Sequence, residues 1–252
     1  LKIEVGSVIL APGYEPFQPQ QQSQYGYGRF RNIVTSLEFE RLLSASGPNW
    51  GALRRPSDGK PPEKIAWIQC VGSRDATAGH TYCSAVCCMV AMKQVILSKE
   101  HLPKLEAVIL HNDVRAYGKG FERYYERAKN TPGVRFVWSK ASILRETPET
   151  GDVVLRYRVN GAGVQDEAFD LVVLSIGMSP PDSNRALADR LSVATNGHGF
   201  CQTDGFSPLE TSRPGIFACG TFRGPMDIPD SVTTASGAAS LASELLSDRR
   251  GT

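Results

Sequence analysis

Four cysteines, Cys70, Cys83, Cys87 and Cys88, fall within the stretch Ile65 to Glu100 in a C-x12-C-x3-C-C pattern. Four thiolates so placed can hold a [4Fe-4S] cluster, one per iron. They can also hold a structural zinc ion, or be buried or disulfide-forming residues. Zinc sites usually use two C-x2–4-C pairs, and here adjacent cysteines replace one of them. Cys83 and Cys87 are spaced i, i+4 and share a face if a helix has begun by Cys83. Cys88 is rotated by about 100° from Cys87 and reaches a common site from another side. A helix N-terminus at this place is expected to lower the thiolate pKa values and offset negative charge.

The elements around these thiols are readable. Ile65-Ala66-Trp67-Ile68 is an apolar run that reads as a buried parallel strand leading to Cys70. A helical pattern runs from Ser84 to Glu100, and a loop rich in Gly, Ser, Thr and Asp joins the two. Such a strand–loop–helix is half of a βαβ unit, whose carboxyl edge is where α/β sheets bind ligands. A nucleotide-binding turn there needs G-x-G-x-x-G, and Cys70-Val71-Gly72-Ser73-Arg74-Asp75 supplies one glycine. A second strand (Ala107 to Leu110), a helix (Gly120 to Asn130) and a third strand (Val134 to Trp138) complete half of a doubly wound domain. Ala141–Glu146, Val153–Val159 and Glu167–Phe169 read as an antiparallel meander, and Asp170 to Ile176 as another buried strand.

Before this domain, Lys2 to Leu10 reads as a strand, Glu15 to Phe30 as loop, and Thr35 or Ser36 as the cap of a helix over Leu37–Leu43. Ser46 to Glu63 is rich in Pro and Gly, which predicts a linker at a domain crossing. The tail passes through Gly215 to Gly220 and ends in a helix from Ser231 to Leu246, with Asp230 or Ser231 as N-cap.

The 252 residues, 41% hydrophobic and 21% charged, provide for one large domain or two ordinary ones. A net charge of +2 gives no electrostatic case for nucleic acid. No apolar run approaches the roughly 18–20 residues of a transmembrane segment. The chain begins at Leu1 with no visible secretion signal, which we read as a fragment from a reducing, cytoplasmic setting.

Several segments carry a family resemblance. GSVILAPG (Gly6 to Gly13), LVVLSIGMSP (Leu171 to Pro180) and TSRPGIFACGTFRGP (Thr211 to Pro225) together resemble the thioredoxin-reductase and disulfide-reductase superfamily of two-dinucleotide-domain flavoproteins. IQCVGSRD, the YCSAVCC block, RAYGKGFERYYERA and GPMDIPDSVTTASGAA are similar to the A subunit of heterodisulfide reductase and its relatives.

That resemblance implies an α/β, thioredoxin-reductase-like fold. Flavin-side segments 1–35 and 178–252 would flank a helix and linker (36–63) and an inserted NAD-type domain, 64–177, that carries the Fe–S cluster. It implies two cofactors, FAD and a [4Fe-4S] cluster on Cys70, Cys83, Cys87 and Cys88. For the flavin it points to Gly13, to Gly220 and Thr221 (Thr221 stands where the superfamily has an acid), and to the last helix at Asp230, Ser231, Val232 and Thr234. Lys93 matches a flavin-facing lysine; as a bare residue it reads equally well as a solvated side chain. The implied activity is electron transfer between FAD and the cluster within an anaerobic complex of further iron–sulfur subunits, with electron-pair splitting at the flavin as an extension. An NAD(P)H-dependent disulfide oxidoreductase and a non-catalytic zinc scaffold are the alternatives.

Overall fold

The structure, a computed structural model, describes residues 2–159 and 161–247. It divides into two compact units, one running to Pro16 and resuming at Met178, the other spanning Phe17–Gly177. Val8–Leu10 (β1) and Glu15–Pro16 (β2) open the first unit. The second begins with Ile33–Thr35 (β3), Ser36–Leu43 (α1), Lys64–Val71 (β4) and Cys87–His101 (α2). It continues through Glu106–His111 (β5), Phe121–Lys129 (α3) and Val134–Trp138 (β6). Ile143–Glu146 (β7), Val153–Val159 (β8), Gly163–Phe169 (β9) and Leu171–Ile176 (β10) complete it. The chain returns to the first unit with Met178–Ser179 (β11), Asp182–Leu191 (α4), Ile216–Ala218 (β12) and Ile228–Leu245 (α5).

The second unit is built on a five-stranded sheet in the order β3-β10-β4-β5-β6, with every pairing parallel. Both faces are covered, which is why its central strands read as unbroken apolar runs. On one face Phe39 of α1 and Ala91 and Val95 of α2 pack on Ile65, Trp67, Ile109 and Val173. On the other, Leu144, Leu155 and Tyr157 of the antiparallel β7-β8-β9 meander pack on Ala66, Ile68, Val108 and Val172. Polar groups in the helical layer are paired as burial requires. Trp67 Nε1 donates to Gln94 Oε1 at 3.1 Å, and Gln94 Nε2 donates to the Ser36 carbonyl at 2.7 Å. Thr35 and Glu38 close a capping box at the start of α1.

The segment expected to be an inter-domain linker lies inside this unit, because it carries a buried cation. Arg55 donates to Asp152 at 2.8 Å, to Asp170 at 3.1 Å and to the Thr150 carbonyl at 2.6 Å. The other oxygen of Asp170 accepts the Glu63 and Lys64 amides at 2.8 and 2.7 Å. One guanidinium thereby joins the linker, a meander turn and the entries of β4 and β10. Residues 17–35, expected on the flavin side, also belong here: Phe17 and Tyr25 are buried in the sheet–meander core, and β3 forms an edge strand.

In the first unit β1 pairs in parallel with β12, Leu10 opposite Ala218. Leu10, Ala188, Cys201, Ala218 and Phe222 pack on the α4 side, and Phe217, Cys219, Ala238 and Ala242 on the α5 side. The strand expected from Lys2 is regular only from Val8. Helix α4 has no counterpart among the sequence expectations; it buries Asn184 and Ala188 and packs Leu187 and Leu191 on the Leu10–Ala218 cluster.

Removing the Arg55 charge strands two carboxylates. Arg55→Met is expected to destabilise the protein by roughly 3 kcal/mol, read from the midpoint of urea denaturation. Asp58→Asn, at the periphery of the same cluster, should move that midpoint less than Arg55→Met does.

Candidate functional site

The cysteine site begins with an irregularity in β4. Trp67 and Ile68 lie opposite Val173 and Leu174, but the next pair is Val71 with Ile176, so β4 carries one extra residue. Cys70 sits in that bulge with φ +62°, a left-handed conformation that costs a non-glycine residue energy and re-aims its side chain. Gly72 follows with φ +69°, and a Cβ there would lie 2.0 Å from the Phe17 ring. The single glycine of this turn therefore serves close packing against the Phe17 ring.

The loop to α2 is held by its own hydrogen bonds. Asp75 and His80 form an antiparallel bridge, and the Arg74 amide donates to the Tyr82 carbonyl at 2.8 Å. The Asp75 carboxylate accepts from Gln22 Nε2 at 2.7 Å, Thr77 Oγ1 at 2.6 Å and the Thr77 amide at 2.9 Å. Arg74 and Asp113 form an ion pair that ties the loop to the end of β5. These contacts fix Cys83, whose Sγ accepts the Ala85 amide at 3.4 Å. Ala85 is left-handed, with φ +64°, and α2 starts only at Cys87. The helix has thus not begun by Cys83, and the expected i, i+4 face is replaced by a loop sulfur preceding a helical one. Cys87 is buried, its thiol 3.5 Å from the Ile176 carbonyl at the end of β10. The Cys88 thiol is 4.0 Å from the Asp113 carbonyl beyond β5.

All four sulfurs are free thiols at the carboxyl edge of the parallel sheet, and they feel one another electrostatically. Burial pushes Cys70 up to about 11, with Cys88 and Cys83 adding to the rise and Arg74 opposing it. Cys87 is raised well above the ordinary thiol value by burial and then by the other three cysteines. Cys88 is raised by burial against the opposing Arg115 amide. For Cys70, Cys87 and Cys88 the expectation of pKa values lowered by the helix N-terminus is therefore reversed, because desolvation and mutual repulsion outweigh the dipole. Among the described residues no three His, Cys, Asp or Glu side chains are arranged to hold a metal ion as they stand. The donor set nevertheless fits a four-thiolate cluster: four free thiols, mutually coupled, whose protons a bound cationic cluster would displace.

The flavin-side residues lie in the first unit. Gly13 (φ +84°) follows β1 and Gly220 (φ +60°) follows β12, and at each the space a Cβ would take is open. Thr221 lies in the short 3-10 turn Gly220–Phe222. Helix α5 starts at Ile228, three residues before the expected Ser231, and its N-cap is Asp227, which accepts the Asp230 amide at 2.9 Å. Asp227 takes this role because Pro229, with no amide to satisfy, occupies the first turn. Asp230 and Ser231 are inside the helix, and Ser231 Oγ donates to the Asp227 carbonyl at 2.7 Å. Val232 is exposed. Thr234 Oγ1 accepts the Gly220 amide at 3.0 Å and donates to the Asp230 carbonyl at 2.9 Å, so it anchors the glycine turn to α5 instead of standing free as a donor. Two open glycine positions and an orphaned, buried Arg223 Nε beside them fit an anionic cofactor such as FAD. Lys93, in the second unit, pairs with Glu40 at 2.5 Å.

Sequence reasoning missed Asp75, Asp227 and Arg223. Asp227 had a readable signal, an acid two residues before a proline at a helix start. Asp75 had only its Asp-x-Thr spacing to Thr77, since its other partner, Gln22, lies far away in sequence. Its carboxyl is held down to about 2, chiefly by the Thr77 hydroxyl, with Gln22 also contributing. A depressed acid contributes stability above its unfolded pKa of 3.8 that disappears as pH falls toward 2. Asp75→Asn is therefore expected to cost roughly 2 kcal/mol at pH 7 and almost nothing at pH 2, as read by denaturation at both pH values.

Comparison with known proteins fits this geometry. The family described as pyridine nucleotide-disulphide oxidoreductase matches residues 1–239. An iron–sulfur A subunit of the CoB–CoM heterodisulfide reductase from Methanopyrus kandleri is 45% identical over 96% of this chain. The corresponding protein from Methanocaldococcus jannaschii is 43% identical over 96% of the chain. The A subunit of the H(2):CoB-CoM heterodisulfide,ferredoxin reductase from Methanothermobacter thermautotrophicus is 39% identical over the same share. The chain spans only 38% of the first of these relatives and 37% of the other two. Among solved structures, a thioredoxin reductase from T. acidophilum superposes with TM-score 0.56 at 13% identity, over 96% of this chain and 66% of that one, a likeness of fold. The chain, with heterodisulfide reductase A subunits among its homologues, belongs to the pyridine nucleotide-disulphide oxidoreductase family.

Proposed function

We propose that this chain is the electron-transferring core of an iron–sulfur flavoprotein, in which Cys70, Cys83, Cys87 and Cys88 hold a [4Fe-4S] cluster and the first unit binds FAD. The observation that carries the reading is the gathering of four free, mutually coupled thiols where nucleotide-binding relatives of this fold need glycines. When bound, the cluster supplies single-electron exchange and the flavin supplies exchange between one- and two-electron carriers.

The chain's own residues perform the remaining tasks. The β4 bulge turns Cys70 off the sheet, and the burial of Cys87 keeps water from the thiol group. Arg74 brings positive charge to Cys70 and Cys83, and the Arg115 amide donates to Cys88. Gly13 and Gly220, whose Cβ positions are open, would let a flavin approach their backbone, Thr221 would offer it a neutral hydroxyl, and Asp230, Ser231 and Val232 in the first turn of α5 would serve it from the helix N-terminus. Thr234 fixes the glycine turn. Lys93 is assigned to tuning the flavin on the strength of the family resemblance. In this reading a dinucleotide-type domain bearing the cluster is inserted between flavin-side segments. The names of the relatives support work beside further iron–sulfur subunits, with splitting of electron pairs at the flavin as the finer proposal.

The family's description favours a second reading, a nucleotide-dependent disulfide reductase. The packing of Phe17 against Gly72 weighs against it.

Anaerobic reconstitution is expected to give a brown protein with four irons and four sulfides per chain. Replacing any one of Cys70, Cys83, Cys87 and Cys88 by Ala should lower that content, and a colourless protein holding zinc would sink the proposal. NADH alone should leave the flavin oxidised on the time scale of turnover; rapid bleaching of the flavin absorbance would favour the second reading. Lys93→Ala is expected to lower the flavin potential, and an unchanged potential removes Lys93 from the site.

A further inference from the structure

Arg223, on the flavin side, carries a charge that the described residues leave unanswered. It follows the 3-10 turn after β12, and that turn is pinned on three sides. The Gly220 amide donates to Thr234 Oγ1 at 3.0 Å, the Cys201 amide to the Phe222 carbonyl at 2.7 Å, and the Arg223 amide to the Gly220 carbonyl at 3.1 Å. Its guanidinium is half-buried, and its Nε is buried without a hydrogen-bond partner. Burial lowers its pKa, and the titratable groups that oppose the fall are the thiols of Cys201 and Cys219. Those two thiols belong to the α4-side and α5-side clusters respectively. The guanidinium is therefore close enough to both thiols to feel them, in the turn that follows β12.

Among the described residues no carboxylate pairs with it. The nearest acid in sequence, Asp227, is committed to capping α5. At the neighbouring position, where the superfamily places an acid, stands the neutral Thr221. A half-buried guanidinium with an orphaned donor gains from an anion that completes it, and Arg is the side chain best shaped to serve phosphate or a delocalised anionic ring.

We infer that Arg223 is the counter-ion for a negative charge of the bound flavin, either its permanent diphosphate or the charge its ring acquires on reduction. The inference rests on the reading of the first unit as flavin-binding, and it reverses the sign of the charge that this fold usually offers there. A cation at the diphosphate raises affinity for every redox state of FAD. A cation at the ring favours the reduced, anionic form and raises the potential.

The test uses the intact protein, stripped of flavin and titrated with FAD and with riboflavin, which lacks the diphosphate. Flavin fluorescence reads affinity, and potentiometry of the FAD-loaded form reads the potential. Arg223→Gln and Arg223→Met remove the charge, the second keeping the aliphatic stem, and Arg223→Lys keeps the charge. For a diphosphate contact, both neutral variants bind FAD at least about tenfold more weakly, with riboflavin affinity and potential unchanged. For a ring contact, the affinity for oxidised FAD holds and the potential falls by about 30 mV for each tenfold loss of preference for the reduced form. Lys retains most of either effect. Neutral variants that melt with the wild type and match it in both affinity and potential would overturn the assignment. A wild-type protein that binds no FAD would instead overturn the flavin reading itself, and this inference with it.

Discussion

The extra residue in β4 is the constraint on which the site depends. A central strand buried on both faces by helices and meander has no freedom to wander, so its side chains alternate strictly between two cores. The thiol at its end escapes that alternation only because the bulge at Cys70 interrupts it. The left-handed backbone there is held by what surrounds it: Val71 resumes pairing with Ile176, Gly72 seats Phe17, and the Gly177 amide donates back to the Val71 carbonyl at 2.9 Å. Strain at such a position persists only where neighbouring contacts overdetermine it.

The loop that follows works by the same principle. Cys70, Arg74 and Ala85 are three non-glycine residues with positive φ between β4 and α2. The loop around them is closed by specific bonds, and the Asp75 carboxylate at its centre accepts from three donors. Rigidity of this kind suits a set of thiols that repel one another once ionised. Without a rigid frame, four mutually repelling thiols would be relieved by the sulfurs moving apart.

The two units solve the problem of charge in different ways. Around the cysteines the cations have a carboxylate partner, Arg74 and Arg115 sharing Asp113. In the first unit Arg223 has no such partner among the described residues, and α5 commits its acid to its own cap.

The amino-acid sequence by itself determined much of this. Apolar runs marked the buried parallel strands, turn residues marked the meander, Thr35 and Glu38 marked the α1 cap, and the C-x12-C-x3-C-C spacing singled out the four thiols. These are local signals, written within a few residues of where they act. Tertiary structure alone decided the rest. That the Pro- and Gly-rich segment is stitched into the sheet unit depends on Arg55 meeting Asp152 and Asp170, which are far away in sequence. That Cys83 precedes the helix, that the pKa values of Cys70, Cys87 and Cys88 rise and that Arg223 pairs with no carboxylate among the described residues depend on burial and on distant neighbours. Desolvation and long-range pairing have no period in the sequence, so only the folded chain could reveal them.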